Sequence, residues 1–86
     1  MIKTFISDID GQSYDLQSPS VKGYMDISDK FNAGKIGSYD FTDWILKNSV
    51  TSPLEIKSQG AAYFNDKERS IAVIEDIVIA VTEMFR

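Results

Sequence analysis

The chain has 86 residues, no histidine and no cysteine, and a net charge of −4 from 13 acidic and 9 basic side chains. Those absences remove the commonest general base, the commonest thiol nucleophile and nearly every zinc or iron–sulfur arrangement. One domain spanning 1–86 accounts for the length, burying about 60–65% of its unfolded surface in one modest core.

The first sixteen residues read as a β-hairpin. Ile2 to Ile6 is a β-prone run, Asp10-Gly11 is a strong turn signal, and Tyr14 and Leu16 alternate with polar residues after it. The alternation breaks around Ile9, which points to a bulge or a longer loop. Ser18 and Pro19 then suit the cap and first position of a helix, whose broad apolar face comprises Val21, Tyr24, Met25, Ile27 and Phe31. Gly23 weakens that helix by about 1 kcal/mol relative to alanine. Asn32-Ala33-Gly34 supplies its stop.

A second helix begins near Ser38 or Asp40, with Phe41, Trp44 and Ile45 as its buried stripe. Asp40 and Asp43 favour its positive N-terminal end. Val50 to Pro53 leads out in extended form, because the residue before proline avoids the α region. Residues 52–62 form the least ordered-looking stretch: Ser58-Gln59-Gly60 marks a turn, and Leu54 and Ile56 tuck against the core.

Asn65 reads as the cap of a last helix over 66–85, with Asp66 and Glu68 in its first turn. Ile71, Ile74, Val78, Val81 and Phe85 recur at steps of three and four, which makes one helical seam. The expected fold is α+β: an N-terminal β-hairpin followed by three helices, the last one long and strongly apolar.

Two signals could carry chemistry. Asp8-Ile9-Asp10-Gly11 resembles the nucleophile loop of haloacid-dehalogenase-type phosphatases, with Asp8 and Asp10 as metal-binding carboxylates. Such a fold needs a doubly wound domain, for which this chain is too short, and Gln12 stands where a threonine is expected. Read as a calcium loop, the same stretch places Ser13 and Pro19 where glycine and glutamate are required. A hairpin turn is the better account. Tyr24, Phe31, Tyr39, Phe41 and Trp44 could be a stacking platform for single strands, yet they fall at helical spacing with few basic neighbours, so core packing fits better. Scattered Lys and Arg argue against nucleic-acid binding. No cofactor is expected.

Acidic residues interrupt the N-terminal run before any signal-peptide core forms, and Ile77 to Val81 is far too short to cross a bilayer. A soluble, intracellular protein is the expectation, with no membrane partner. From Ile71 to Val81 only Glu75 and Asp76 are polar. Val73, Ile77, Ala80 and Met84 widen the seam beyond what a small hairpin and two short helices readily cover. A second protein or a homo-oligomer is a natural source of the missing cover. The competing reading is a central helix wrapped by its own chain.

The order of these elements resembles a known family. The hairpin carries Asp10-Gly11-Gln12-Ser13-Tyr14-Asp15-Leu16, and Ser18-Pro19-Ser20-Val21-Lys22-Gly23-Tyr24 opens a helix. Trp44 to Pro53 exits the second helix through Val50-Thr51-Ser52-Pro53, and Tyr63-Phe64-Asn65-Asp66 leads into the terminal helix. Together they resemble the small tail-assembly chaperones of long-tailed phages infecting Gram-positive bacteria, and their prophage relatives. The resemblance covers nearly the whole chain as a pattern, and Leu54 to Ala62 adds nothing to it. It implies a non-catalytic protein of the host cytoplasm that binds the helical tape-measure protein. Such a chaperone keeps the tape measure soluble until tail-tube subunits polymerise around it. On that reading Ile71, Ile74, Val78, Val81 and Phe85 are the partner-binding residues. The alternatives are a phage-encoded inhibitor or adaptor of a host complex, a structural tail or head-completion subunit, and a metal-dependent enzyme at Asp8 and Asp10.

Overall fold

In the computed structural model, which describes residues 2–84, the chain is α+β. Strands β1 (Ile2–Ile6), β2 (Ser13–Gln17) and β3 (Val50–Ser52) form one antiparallel sheet in the order β1-β2-β3. Helices α1 (Val21–Asn32), α2 (Ser38–Ser49), α3 (Glu55–Gln59) and α4 (Ser70–Glu83) pack with it, and a 3-10 helix spans Gly60–Phe64. The expectation of a two-stranded hairpin and three helices is therefore corrected. Val50–Ser52 pairs with β2 through Asp15 and Leu16, and the stretch after it folds into α3 and the 3-10 helix.

The hairpin pairs Phe5 with Tyr14 and Lys3 with Leu16, so the inward face of the sheet carries Tyr14 and Leu16, both fully buried. Its six-residue connection is held by Ser7. The Ser7 hydroxyl accepts from the N–H of Ile9 at 3.2 Å, and the Ser7 carbonyl accepts from Gly11 N–H at 2.9 Å. Gly11 turns the chain at φ +72°, a conformation that favours glycine.

The cap of α1 is Ser20 and not Ser18: its Oγ accepts from Gly23 N–H at 3.0 Å. None of the twelve α1 residues is buried. The helix lies on α2 through Phe31 stacked on Phe41 at 4.9 Å and Tyr24 edge-on to Phe41 at 6.3 Å. A Cβ on Gly23 would stand 2.9 Å from the Trp44 ring and 2.6 Å from the capping Ser20 Oγ. The glycine that costs helix propensity is what lets α1 approach α2.

Around Gly60 the backbone takes φ +58° and ψ −132°, which redirects the chain between α3 and the 3-10 helix. Asp43 on α2 fastens this corner, its Oδ1 accepting from Ala61 N–H at 2.9 Å and its Oδ2 lying 3.1 Å from Lys47 Nζ. Ile56 and Phe64 are buried by it, whereas Leu54 is 69% exposed, against expectation.

The last helix starts later than expected. Asn65 follows the 3-10 helix, Arg69 precedes α4 in a left-handed conformation at φ 54°, and Asp66 and Glu68 lie in the turns between. A left-handed residue cannot continue a helix, so the fourteen residues Ser70–Glu83 replace the expected 66–85. Val73, Ile77, Ala80 and Val81 face the core with Ile74 beside them, while Ile71, Glu75, Ile79 and Glu83 form an exposed row at four-residue spacing. Phe85 lies outside the described residues.

Candidate partner groove

Where the N-terminal halves of α2 and α4 meet the 3-10 helix, they leave an open groove of about 410 Å³. Its floor is apolar: Phe64, Ala61 and Ile74 are all buried. Tyr39 on one rim is 61% exposed and Ile71 on the other is 69% exposed. Thr42 lines the α2 side three residues after Tyr39, and Glu75 the α4 side four after Ile71, as helical spacing requires. Ser38, Asn65 and Ser70 supply the polar edge.

Each wall is placed by a local feature. Gly37, extended at φ −91° and ψ −179°, starts α2, which puts Ser38 and Tyr39 in its first turn. The floor depends on the Gly60 corner and on Asp43, because together they press Ala61 and Phe64 against α2. The left-handed Arg69 sets where α4 begins, and so the height of Ile71 over the floor.

The groove divides the expected seam. Ile71 is exposed on the rim, Ile74 is buried in the floor, and Val78 is half-buried farther along α4. Val81 is fully buried in the core and offers a partner nothing in this folded state. The seam read α4 as one stripe, but the core takes the Val73, Ile77 and Val81 side and leaves Ile71 and Ile79 outside. Tyr39 was absent from the sequence-derived set. An aromatic in the first turn of α2, off the Phe41–Trp44–Ile45 stripe, is the signal that could have found it.

The Asp8–Asp10 stretch is engaged otherwise. Asp10 Oδ1 accepts from Gln12 N–H at 3.0 Å, and Oδ2 accepts from the Tyr14 hydroxyl at 2.7 Å. Burial pushes the Asp10 carboxyl up, but hydrogen bonds from Gln12, Tyr14 and Ser7 outweigh it and hold the group below its ordinary value. Burial, then the bond to Asp10, pushes the Tyr14 phenol well above its ordinary range. Gln12 Nε2 donates to Tyr63 Oη at 3.2 Å, which ties the hairpin loop to the 3-10 helix. Both Asp10 oxygens thus serve the turn. Among the described residues no group of three or more His, Cys, Asp or Glu side chains could hold a metal ion, and no helix is long and apolar enough to cross a membrane.

Of the aromatic residues of α1 and α2, Tyr24, Phe31 and Phe41 form one cluster and Trp44 lies under Gly23, whereas Tyr39 stands exposed on the groove rim. No protein-family model matches the chain, and no curated protein or solved structure matches it either.

Proposed function

We propose that this chain is a non-catalytic tail-assembly chaperone of a long-tailed phage or prophage. It works in the host cytoplasm and binds the helical tape-measure protein until the tail tube polymerises. The observation that carries the reading is the groove between α2 and α4, with a buried floor of Phe64, Ala61 and Ile74 and exposed rims at Tyr39 and Ile71. Its volume suits a few side chains of a helix laid along it, in the manner of helix-in-groove recognition. Glu75 on the rim, in a chain of net charge −4, favours a partner helix whose apolar seam is flanked by lysine or arginine. The resemblance of the sequence segments to those of tail-assembly chaperones is the ground for taking that helix to be the tape measure. The contact is small, which suits a complex that tail-tube subunits must reverse.

Co-expression with the tape-measure protein of the same phage tests this. The chain is expected to keep the tape measure soluble and to co-purify with it. Ile71→Asp removes an apolar rim contact worth about 1.5–3 kcal/mol when buried, so binding should weaken at least tenfold with the fold intact. Leu54→Asp, equally exposed but outside the groove, should leave binding unchanged. An insoluble tape measure beside a well-folded chain would overturn the proposal in favour of an inhibitor or adaptor of a host complex.

A further inference from the structure

Among the described residues β1 pairs only with β2, in the sheet order β1-β2-β3, which leaves its outer edge open to a further strand. Which of its backbone groups face outward follows from the register. Ser7 N–H donates to Gln12 O at 3.0 Å, one step beyond the Ile6↔Ser13 pair. Backbone groups alternate sides along a strand, so the N–H and C=O of Phe5 and Lys3 also point to β2. Those of Ile2, Thr4 and Ile6 therefore point away from the sheet. The Thr4 hydroxyl donates to the Asp15 carboxylate at 2.8 Å, in keeping with a close, non-hydrogen-bonded Thr4–Asp15 pair.

Ile2, Thr4 and Ile6 also share one side-chain face. Phe5, one step away, packs on the buried Tyr14 at 6.5 Å, so the Ile2–Thr4–Ile6 face is the outer one. There Ile2 is 64% and Ile6 63% exposed. Natural edge strands are commonly blunted by proline, by a bulge or by charge on the exposed face. β1 contains no proline, its pairing to β2 runs in unbroken register, and its one charged residue, Lys3, lies on the opposite face.

We propose that this edge is a homodimer interface, in which β1 of one copy pairs antiparallel with β1 of a second about a two-fold axis through Thr4. This register pairs all five residues of the strand. Thr4 faces its own counterpart, and Ile2 of each copy lies beside Ile6 of the other, so four isoleucine side chains gather on the outer face. The three residues with edge-directed backbone groups then form hydrogen-bonded pairs, about six new bonds in all, and the two sheets become one continuous six-stranded sheet. On the inner face Lys3 of each copy stands opposite Phe5 of the other. A second copy is the favoured occupant because the apolar positions, the edge-directed groups and the two-fold centre coincide on the same three residues. One short strand pair makes a small interface, so the dimer is weak. None of Ile2, Thr4 and Ile6 lines the groove between α2 and α4, so dimerisation and partner binding are separable.

Sedimentation equilibrium of the full chain up to about 1 mM tests the proposal, with two sets of variants. Ile2→Lys combined with Ile6→Lys places like charges at both junctions and should weaken association at least tenfold. Ile2→Lys combined with Ile6→Glu places opposite charges there and should restore it, with circular dichroism checking the fold of each. The chain has no cysteine, so Thr4→Cys offers a single thiol opposite its own copy about 5.5 Å away, within disulfide range. It should cross-link under mild oxidation, whereas the exposed Ser58→Cys should not. A chain that stays monomeric at 1 mM overturns the interface. So does equal association of the two charge pairs, or a Thr4→Cys variant that cross-links no faster than Ser58→Cys.

Discussion

Gly60→Ala is the substitution whose cost can be worked most fully from the structure. Gly60 is buried, at φ +58° and ψ −132°, a region open essentially to glycine alone. Forcing a Cβ into it costs about 1–3 kcal/mol in backbone strain. The same Cβ would overlap the Asp43 carboxylate, which must then release Ala61 N–H. Losing a hydrogen bond to a charged acceptor costs about 1.5–3 kcal/mol more. The sum, about 2.5–6 kcal/mol, is a large share of the roughly 4–13 kcal/mol that a domain of this size holds. Urea unfolding followed by circular dichroism and by fluorescence of the single tryptophan, Trp44, should show the midpoint falling sharply with little change in slope. Asp43→Ala provides the cross-check. Alone it should cost about 1.5–3 kcal/mol. In the Gly60→Ala background it should cost at least about 1 kcal/mol less, because there the bond is already broken and its removal relieves the overlap. A Gly60→Ala variant within about 0.5 kcal/mol of the parent, or strictly additive costs, would refute the reasoning.

Other substitutions probe other joints. Gly23→Ala gains about 1 kcal/mol of helix propensity but displaces the Ser20 cap and presses on Trp44, so a net loss of about 1–2 kcal/mol is expected in the same urea assay. Tyr14 has a folded-state pKa above its ordinary 10.0, so its contribution is fully present below pH 10 and is lost as pH rises beyond it. Tyr14→Phe should therefore lower stability at neutral pH and flatten the alkaline limb by up to about 1.4 kcal/mol per pH unit, read from urea midpoints across that range. Among the described residues the buried Ser49 hydroxyl meets no hydrogen-bond partner, so Ser49→Ala is expected to be neutral or stabilising by about 1 kcal/mol, seen as an equal or higher Tm.

Elements with a strong local signature were legible in the sequence. Tyr14 and Leu16 announced their strand by alternation, Asp10-Gly11 its turn, and the helix expected to begin near Ser38 or Asp40 is α2, Ser38–Ser49. What escaped was decided by distant partners. Val50–Ser52, expected only as extended chain, becomes a strand because β2 offers an edge, and Gly60–Phe64 is ordered because Asp43, eighteen residues from Ala61, accepts from the Ala61 N–H. The start of α4 was misplaced because Asn65, Asp66 and Glu68 make a sound helix opening on propensity alone, and the left-handed Arg69 overrides it. Of the groove, Ile71 and Ile74 could be read from periodicity. Which flank of α4 the core would take could not, because from Ile71 to Val81 only Glu75 and Asp76 are polar, so periodicity alone did not choose the buried face. Tyr39 joins the site only through tertiary packing.

The most direct test of the proposed partner groove is amide chemical-shift mapping of the labelled chain during titration with a helical peptide from the tape-measure protein. The account predicts shifts concentrated at Tyr39, Thr42, Ala61, Ile71 and Glu75, abolished by Ile71→Asp in a chain that remains folded. Saturable binding that shifts residues of α1 or β1 while leaving these five unmoved would contradict it, as would no binding at millimolar peptide.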